Sequence, residues 1–402
     1  MLVSPVAAAA APATPAVDLS LPPAPGSARA VRQQTFDAFL AERTASGDLV
    51  GVSVAVVDHG RLAMLRGYGH RSVSGAAAVD DRTVFHLASL SKTFAAGLTG
   101  MLVRDRVLDW STPLRAVLPG VSLGAPRSGL TIGDLLSHRT GLPPNAYDDL
   151  LEAGVPARDI LPRLAKVPPA CKPGTCYAYQ NLTFNLVADA IQARTGKSYA
   201  DLMRQRIFAP LHMDRASLGS AGLRHDDNWA RPHVRAGTGW REVGLREPYY
   251  ALQAAAGVNA SGRDMAQWLL AQLGRMPAAY APDIAATLQT PRVKTPKDLR
   301  SLRNRFVDTR DAAYGYGWRI YDIGGTQVVA HAGTVQGYIA QIAFVPAQQS
   351  GIVILTNASS PHFRTILPAY MELFVEGVRP QEQALAPLRR QTAATATRSV
   401  VH

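Results

Sequence analysis

The sequence predicts an α+β protein: one antiparallel sheet assembled from both ends of the chain, flanked by N- and C-terminal helices, with a mostly helical part inserted between them. Three observations carry that prediction. Residues 28–68 read helix, strand, strand. Residues 317–375 read as four short strands and then a helix. Between them, from about residue 85 to residue 310, apolar residues recur at helical spacing and are broken by Gly/Pro loops. With 402 residues and 47% hydrophobic composition, the chain is able to bury a substantial core.

Residues 1–27 are rich in Ala and Pro and hold no Lys or Arg. The apolar run from Val6 to Ala11 makes this segment signal-like, and an Ala/Pro-rich disordered linker is the other reading. The remainder divides into a sheet part, 28–84 and 311–379, and a helical part, 85–310. Residues 28–44 place Val31, Phe36, Phe39 and Leu40 on one helical face. Residues 50–57 and 62–68 are β-rich runs around Asp58-His59-Gly60, a hairpin signal. Strands follow at 317–321, 327–332, 338–345 and 351–355, then a closing helix at 366–375. Residues 380–402 lose periodicity and read as a disordered tail.

Net charge is +12, but the arginines are scattered and no zinc-finger or RRM pattern accompanies them. Nucleic acid is therefore not the expected partner, and a solvated basic surface compatible with anionic cell-envelope material is. No apolar run is long enough to span a bilayer. The only cysteines, Cys171 and Cys176, flank Lys172-Pro173-Gly174-Thr175, where a Pro-Gly turn makes a disulfide plausible. Two cysteines and dispersed histidines without H-E-x-x-H fall short of a zinc site, so no metal is expected. Gly120-Val121-Ser122-Leu123-Gly124 matches a nucleophile elbow but lies between Pro119 and Pro126 instead of between strand and helix. Gly196-Lys197-Ser198 follows a helix and reads as a C-cap, not a P-loop.

The chemistry concentrates at Phe85-His86-Leu87-Ala88-Ser89-Leu90-Ser91-Lys92-Thr93. Residues 87–103 are apolar nearly all round, as in a buried helix, yet Lys92 carries a charge in what should be the first turn. Burying an unpaired ammonium is costly, and a cation there opposes the helix dipole. Ser89, three residues earlier, shares the same face. A serine hydroxyl needs a neighbouring base, and a desolvated, neutral lysine can be one. The competing structural reading makes Ser89 an N-cap and Lys92 a snorkelling side chain.

This segment resembles the S-x-x-K element of the serine β-lactamase and penicillin-binding-protein superfamily. The resemblance is to the class C β-lactamase-like branch, which also holds esterases and D-aminopeptidases, and it runs over about 36–376. Thr131 to Pro143, Pro173-Gly174-Thr175 with Tyr179-Gln180-Asn181, Arg206 to Met213 and Ala255 to Ser261 resemble further family segments in matching order. It implies a β-lactamase/DD-peptidase-like fold, with Ser89, Lys92 and Tyr179 catalytic. Asn181 would bind a substrate amide if its stretch is extended. His331-Ala332-Gly333, followed by Thr334, stands where the family commonly reads Lys-Thr-Gly. The resemblance makes His331, Gly333 and Thr334 substrate-binding, with the Thr334 and Ser89 N–H groups as oxyanion hole. The lost cation and hydroxyl weaken the anchor for a β-lactam carboxylate. The expectation is a periplasmic or secreted serine hydrolase acting on a β-lactam or D-amino-acid peptide, a small-molecule or peptidoglycan-derived substrate. A carboxylesterase of the same fold is the alternative, and a non-turnover penicillin-binding sensor is another. No organic cofactor is implied.

Overall fold

The computed structural model describes residue 24 and residues 26–225 and 227–399, so the signal-like reading of residues 1–27 falls largely outside it. Its centre is an eight-stranded antiparallel sheet. In spatial order the strands are Arg61–Gly69, Gly51–Asp58, Ser350–Thr356, Tyr338–Val345, Thr326–Val335, Arg319–Ile323, Thr309–Tyr314 and Val293–Lys294. The two ends of the chain meet where Val54 lies opposite Ile354. The first hairpin closes through His59-Gly60, both left-handed, as a two-residue turn requires.

Strand Gly51–Asp58 is buried along its whole length because both sheet faces are covered. Val52, Val54 and Val56 enter a cluster with Phe36, Phe39, Tyr370 and Phe374 from helices Ala28–Ala45 and Ile366–Phe374. The Phe36 and Phe374 rings meet edge to face at 5.8 Å. Truncating Phe36 to Ala would cost about 3–5 kcal/mol in lost contact and cavity. Ala55 and Val57 alternate to the opposite face and pack with Phe94, Leu98 and Trp268 of the helical part.

The α+β architecture and the assembly of the sheet from both chain ends agree with the sequence reading. Three details do not. The sheet begins before residue 311, since Val293–Lys294 and Thr309–Tyr314 join its edge. The helical part contains a small sheet of Val84–His86, Val258–Ser261 and Ser217–Leu218, and a hairpin of His233–Ala236 with Gly239–Glu242. The disordered tail read at 380–402 is corrected: a helix runs over Glu382–Ser399, docked by Leu385 and Leu388. Two apolar anchors at i and i+3 are enough to seat a helix start but too few to show as periodicity.

Candidate active site

The nucleophile segment is not one helix. A single 3-10 turn, Ala88–Leu90, leads into helix Ser91–Arg104, and Ala88 is held at φ 46°. A left-handed alanine costs of order 1–2 kcal/mol. It turns Ser89 toward solvent, half-exposed, while Leu87, Ala88 and Leu90 are buried.

Lys92 is fully buried, with Nζ 3.2 Å from Ser89 Oγ, 2.7 Å from Asn181 Oδ1 and 2.9 Å from the Ala255 carbonyl. Burial pushes its amine well below the ordinary range, with Asp148 opposing and Arg319 adding to the push. A neutral amine has two N–H groups and one lone pair. The Asn181 and Ala255 oxygens are acceptors only, so they take both N–H groups, and the lone pair is left facing the Ser89 hydroxyl.

The Tyr179 hydroxyl shares a hydrogen bond with Ser89, and Lys92 Nζ lies 4.7 Å from the Tyr179 ring centre. Burial pushes this phenol up to about 12, against the pull of the Ser89 bond and the Arg319 charge. Tyr179 is therefore a phenol at neutral pH. Residues 138–145 fix it: the His138 ring lies tilted against it at 4.3 Å, the Asn145 N–H donates to the Tyr179 carbonyl, and the Ala178 N–H donates to the His138 carbonyl.

The third wall is strand Thr326–Val335. Its neighbour Arg319–Ile323 pairs only as far as Ala330, so the edge from His331 to Val335 is free on the side facing Ser89. Gly333 lies against the nucleophile turn so closely that a Cβ there would stand 2.0 Å from the Leu87 carbonyl and 2.9 Å from the Ser89 nitrogen. Gly317 makes a similar approach, since a Cβ would meet the Lys92 carbonyl at 2.7 Å. The Gly315-Tyr316-Gly317 run is thus a bend that fits the nucleophile helix against the sheet.

The match to known proteins covers most of the chain: the Beta-lactamase family model aligns with residues 36–376. The chain belongs to the beta-lactamase family. Among curated relatives, it is 29% identical to the unguisins hydrolase ungD' of Aspergillus campestris (strain IBT 28561), over 78% of this chain and 59% of that protein. It is 27% identical to a D-aminopeptidase of Gluconobacter oxydans (strain 621H), over 77% of this chain and 56% of that one. The chain therefore spans less than two thirds of the length of these relatives. In fold it resembles the octameric penicillin-binding protein homologue from Pyrococcus abyssi, with a TM-score of 0.73, 22% identity, and 86% and 77% of the two chains covered. It also resembles a class C beta lactamase from Rhodobacter sphaeroides, with a TM-score of 0.66, 23% identity, and 85% and 98% covered.

Within this beta-lactamase fold, Ser89, Lys92, Tyr179 and Asn181 come together, and Gly333 abuts them. Two roles expected from sequence change. Asn181 is the first residue of helix Asn181–Thr195, not part of an extended stretch. Its Oδ1 receives Lys92 and its Nδ2 donates to Asp148 Oδ2 at 2.7 Å, so it orients the Lys92 amine. His331 does not reach the groove as a substrate contact, because it is buried with both nitrogens occupied. Nδ1–H donates to the Ala332 carbonyl at 2.9 Å, which leaves Nε2 to accept the Tyr314 hydroxyl at 2.9 Å. Burial, then the Arg319 charge, holds its pKa well below the ordinary imidazole range, so it is neutral.

Asp148, Arg319 and the Ala255 carbonyl were not singled out from sequence. Asp148 sits among loop residues with no period, and Arg319 looks like any strand residue. Arg319 is the permanent cation of the site: it pairs with Asp298 and lies 5.8 Å from the Tyr179 ring. Cys171 and Cys176 form a disulfide in the loop that leads to Tyr179.

Proposed function

We propose that this chain is a serine acyl hydrolase whose nucleophile is Ser89 of the S-x-x-K element, cleaving an amide, in a β-lactam or D-amino-acid peptide, through an acyl-enzyme. The observation that carries this is the buried Lys92 amine with its lone pair turned to Ser89. Ser89 Oγ attacks the carbonyl and its proton passes to Lys92. Negative charge on the carbonyl oxygen meets the N–H groups of Ser89 and Thr334. When the C–N bond breaks, Tyr179 gives its proton to the leaving nitrogen and recovers one from Lys92. Water then attacks the acyl-enzyme, losing its proton to the same pair, and Ser89 departs reprotonated. The named activities of the Gluconobacter D-aminopeptidase and the Aspergillus unguisins hydrolase support an amide substrate.

A carboxylesterase is the second reading, favoured by one observation: exposed Ala332 and neutral His331 leave the strand without the cation and hydroxyl that would hold a β-lactam carboxylate. The Cys171–Cys176 disulfide supports a periplasmic or secreted location. No helix among the described residues is long and apolar enough to cross a membrane.

A panel of fluorescent penicillin, chromogenic cephalosporin, short-chain aryl ester and D-alanyl anilide tests these readings on wild type and Ser89→Ala. Turnover of the anilide or cephalosporin, lost in Ser89→Ala, is expected. Ester turnover alone assigns an esterase, and persistent penicillin labelling without turnover assigns a sensor. Full activity in Ser89→Ala would overturn the mechanism. Lys92→Arg puts a permanent cation where the neutral amine stood and supplies no base, and acylation should fall about 10²–10⁴-fold.

A further inference from the structure

Tyr179 stands in a stretch with no regular structure to place it. Residues 165–180, between helices Ala157–Leu164 and Asn181–Thr195, form neither helix nor strand. A proton donor must still be held closely, since a misplacement of about 1 Å costs on the order of 10²-fold in rate. The stretch is tied instead to residues 138–145. The Ala170 N–H donates to the Gly141 carbonyl and the Gly174 N–H to the Arg139 carbonyl. His138 takes the two bonds that flank Tyr179: its carbonyl accepts the Ala178 N–H at 2.9 Å, and its Nδ1 accepts the Gln180 N–H at 3.2 Å.

His138 is fully buried, and its backbone is left-handed at φ 56°, a conformation that a bulky L-residue adopts only at a cost. With that bend, one residue turns both its carbonyl and its ring to the same neighbouring segment. A backbone N–H can only donate, so Nδ1 carries the lone pair and Nε2 the proton. Burial, with the Arg319 charge adding to it, holds the ring's pKa well below the ordinary imidazole range, so the acceptor is not lost to protonation at neutral pH. Nε2 is buried and has no hydrogen-bond partner among the described residues. Nδ1 is thus the ring's one polar contact, kept despite an unsatisfied donor that a phenylalanine packed in the same place would not have.

The placement of Tyr179 matters most for one class of leaving group. The nitrogen of an amide leaves only with a proton, whereas a good aryl oxide leaves as the anion. A phenol aimed at the leaving atom is needed to acylate from an amide and dispensable for acylation by an activated ester.

We propose that His138 is the positioning residue for Tyr179: by holding the backbone at Ala178 and at Gln180, it keeps the phenol aimed at the leaving atom and lets the site cleave amides and not only activated esters. This rests on the reading of Ser89 as nucleophile and Tyr179 as proton donor. The bond from Gln180 to Nδ1 is the half of the hold that belongs to the side chain, so substitution removes it and leaves the carbonyl bond to Ala178.

The test follows kcat/KM, which reads the steps up to acylation, on a D-alanyl anilide and a short-chain aryl ester. His138→Phe and His138→Ala delete the acceptor, the first keeping a ring, and either one that folds by circular dichroism and thermal melting serves. In His138→Asn the Oδ1 stands as many bonds from the backbone as Nδ1, and asparagine tolerates a left-handed backbone. Without the acceptor, anilide kcat/KM should fall about 10²-fold and the ester value by less than about tenfold, while His138→Asn stays within about threefold of wild type. Tyr179→Phe already lacks the donor, so His138→Phe added to it should cost the anilide nothing further. Equal losses on the two substrates, losses that multiply in the double variant, or a His138→Asn variant as impaired as His138→Phe overturn the proposal. His138→Asn carries the test alone where neither acceptor-less variant folds, because a loss of about tenfold or more on the anilide there overturns the hold. Crystal structures read the placement without turnover: a Tyr179 hydroxyl displaced from Ser89 Oγ in the acceptor-less variant is expected, and an unmoved one overturns the hold. Full activity in Ser89→Ala together with a displaced hydroxyl sinks the hydrolase reading and keeps the hold on Tyr179.

Discussion

The Nζ of Lys92 lies 2.7 Å from Oδ1 of Asn181, and that amide presents its oxygen because its nitrogen donates to Asp148 Oδ2, also at 2.7 Å. A carboxylate thereby sets the orientation of the Lys92 amine without touching it. Its charge also acts directly: Asp148 raises the Lys92 pKa, whereas Arg319 lowers it.

Those opposite signs give a paired test. Activity through a neutral Lys92 is lost as pH falls through the folded pKa of that amine. Asp148→Asn removes the favourable charge, so the acid limb of kcat/KM should move to lower pH. Arg319→Gln removes the repelling charge, so the limb should move to higher pH. Shifts of a few tenths to about one unit are expected at these partly screened distances. Limbs that move together, or not at all, would remove Lys92 as the titrating base.

A second expectation concerns His331→Lys. From the sequence alone this change looked like a restoration of the missing cation. The structure gives the opposite sign, because the side chain is buried between Tyr314 and the Ala332 carbonyl with Arg319 as a charged neighbour. An ammonium there would be desolvated beside a like charge, and unfolding free energy should fall by at least about 2 kcal/mol. Urea denaturation measures it. A variant as stable as wild type that gains cephalosporin affinity would restore His331 to the groove.

Much of this was legible in the sequence, and what was not has a common cause. The first helix shows because its apolar residues follow the helical period, and the first hairpin and strand Tyr338–Val345 show because β-rich runs are bounded by turn residues. Ser89 and Lys92 show because a charge in an apolar helix breaks that pattern. Asn181 was misread because its role depends on Asp148, 33 residues away, and a turn-rich loop hides that partner. His331 was misread because a strand's alternation does not say that its ring bonds Tyr314, two strands away in the sheet. Long-range polar partners leave no periodic trace.

Acid stability should carry the mark of His86. This ring is fully buried, bonds the Ala256 carbonyl at 2.6 Å and stacks on Tyr250 at 4.1 Å. Burial lowers its pKa from 6.5 to about 4, so the folded state binds the proton less readily than the unfolded one. Its contribution is fully present above pH 6.5 and is lost as pH falls toward 4, about 3 kcal/mol in all. Urea midpoints between pH 7 and pH 4 should fall steeply in wild type and less steeply in a folded His86→Gln variant. Parallel slopes would show that other groups dominate the acid limb.

The closest approach in the site yields the last expectation. In Gly333→Ala the added methyl cannot occupy the 2.0 Å gap to the Leu87 carbonyl, which is backbone and held by the strand Val84–His86 just before it. The strand edge must therefore move away from Ser89, carrying Thr334 N–H with it. The proposed oxyanion hole is then too wide, while Lys92 and Tyr179 keep their places. Loss of one donor from such a hole costs about 10²–10³ in kcat. The expected signature is a fall of that order in acylation rate in a variant whose fold is unchanged by circular dichroism. Wild-type acylation in Gly333→Ala would place the oxyanion donors elsewhere.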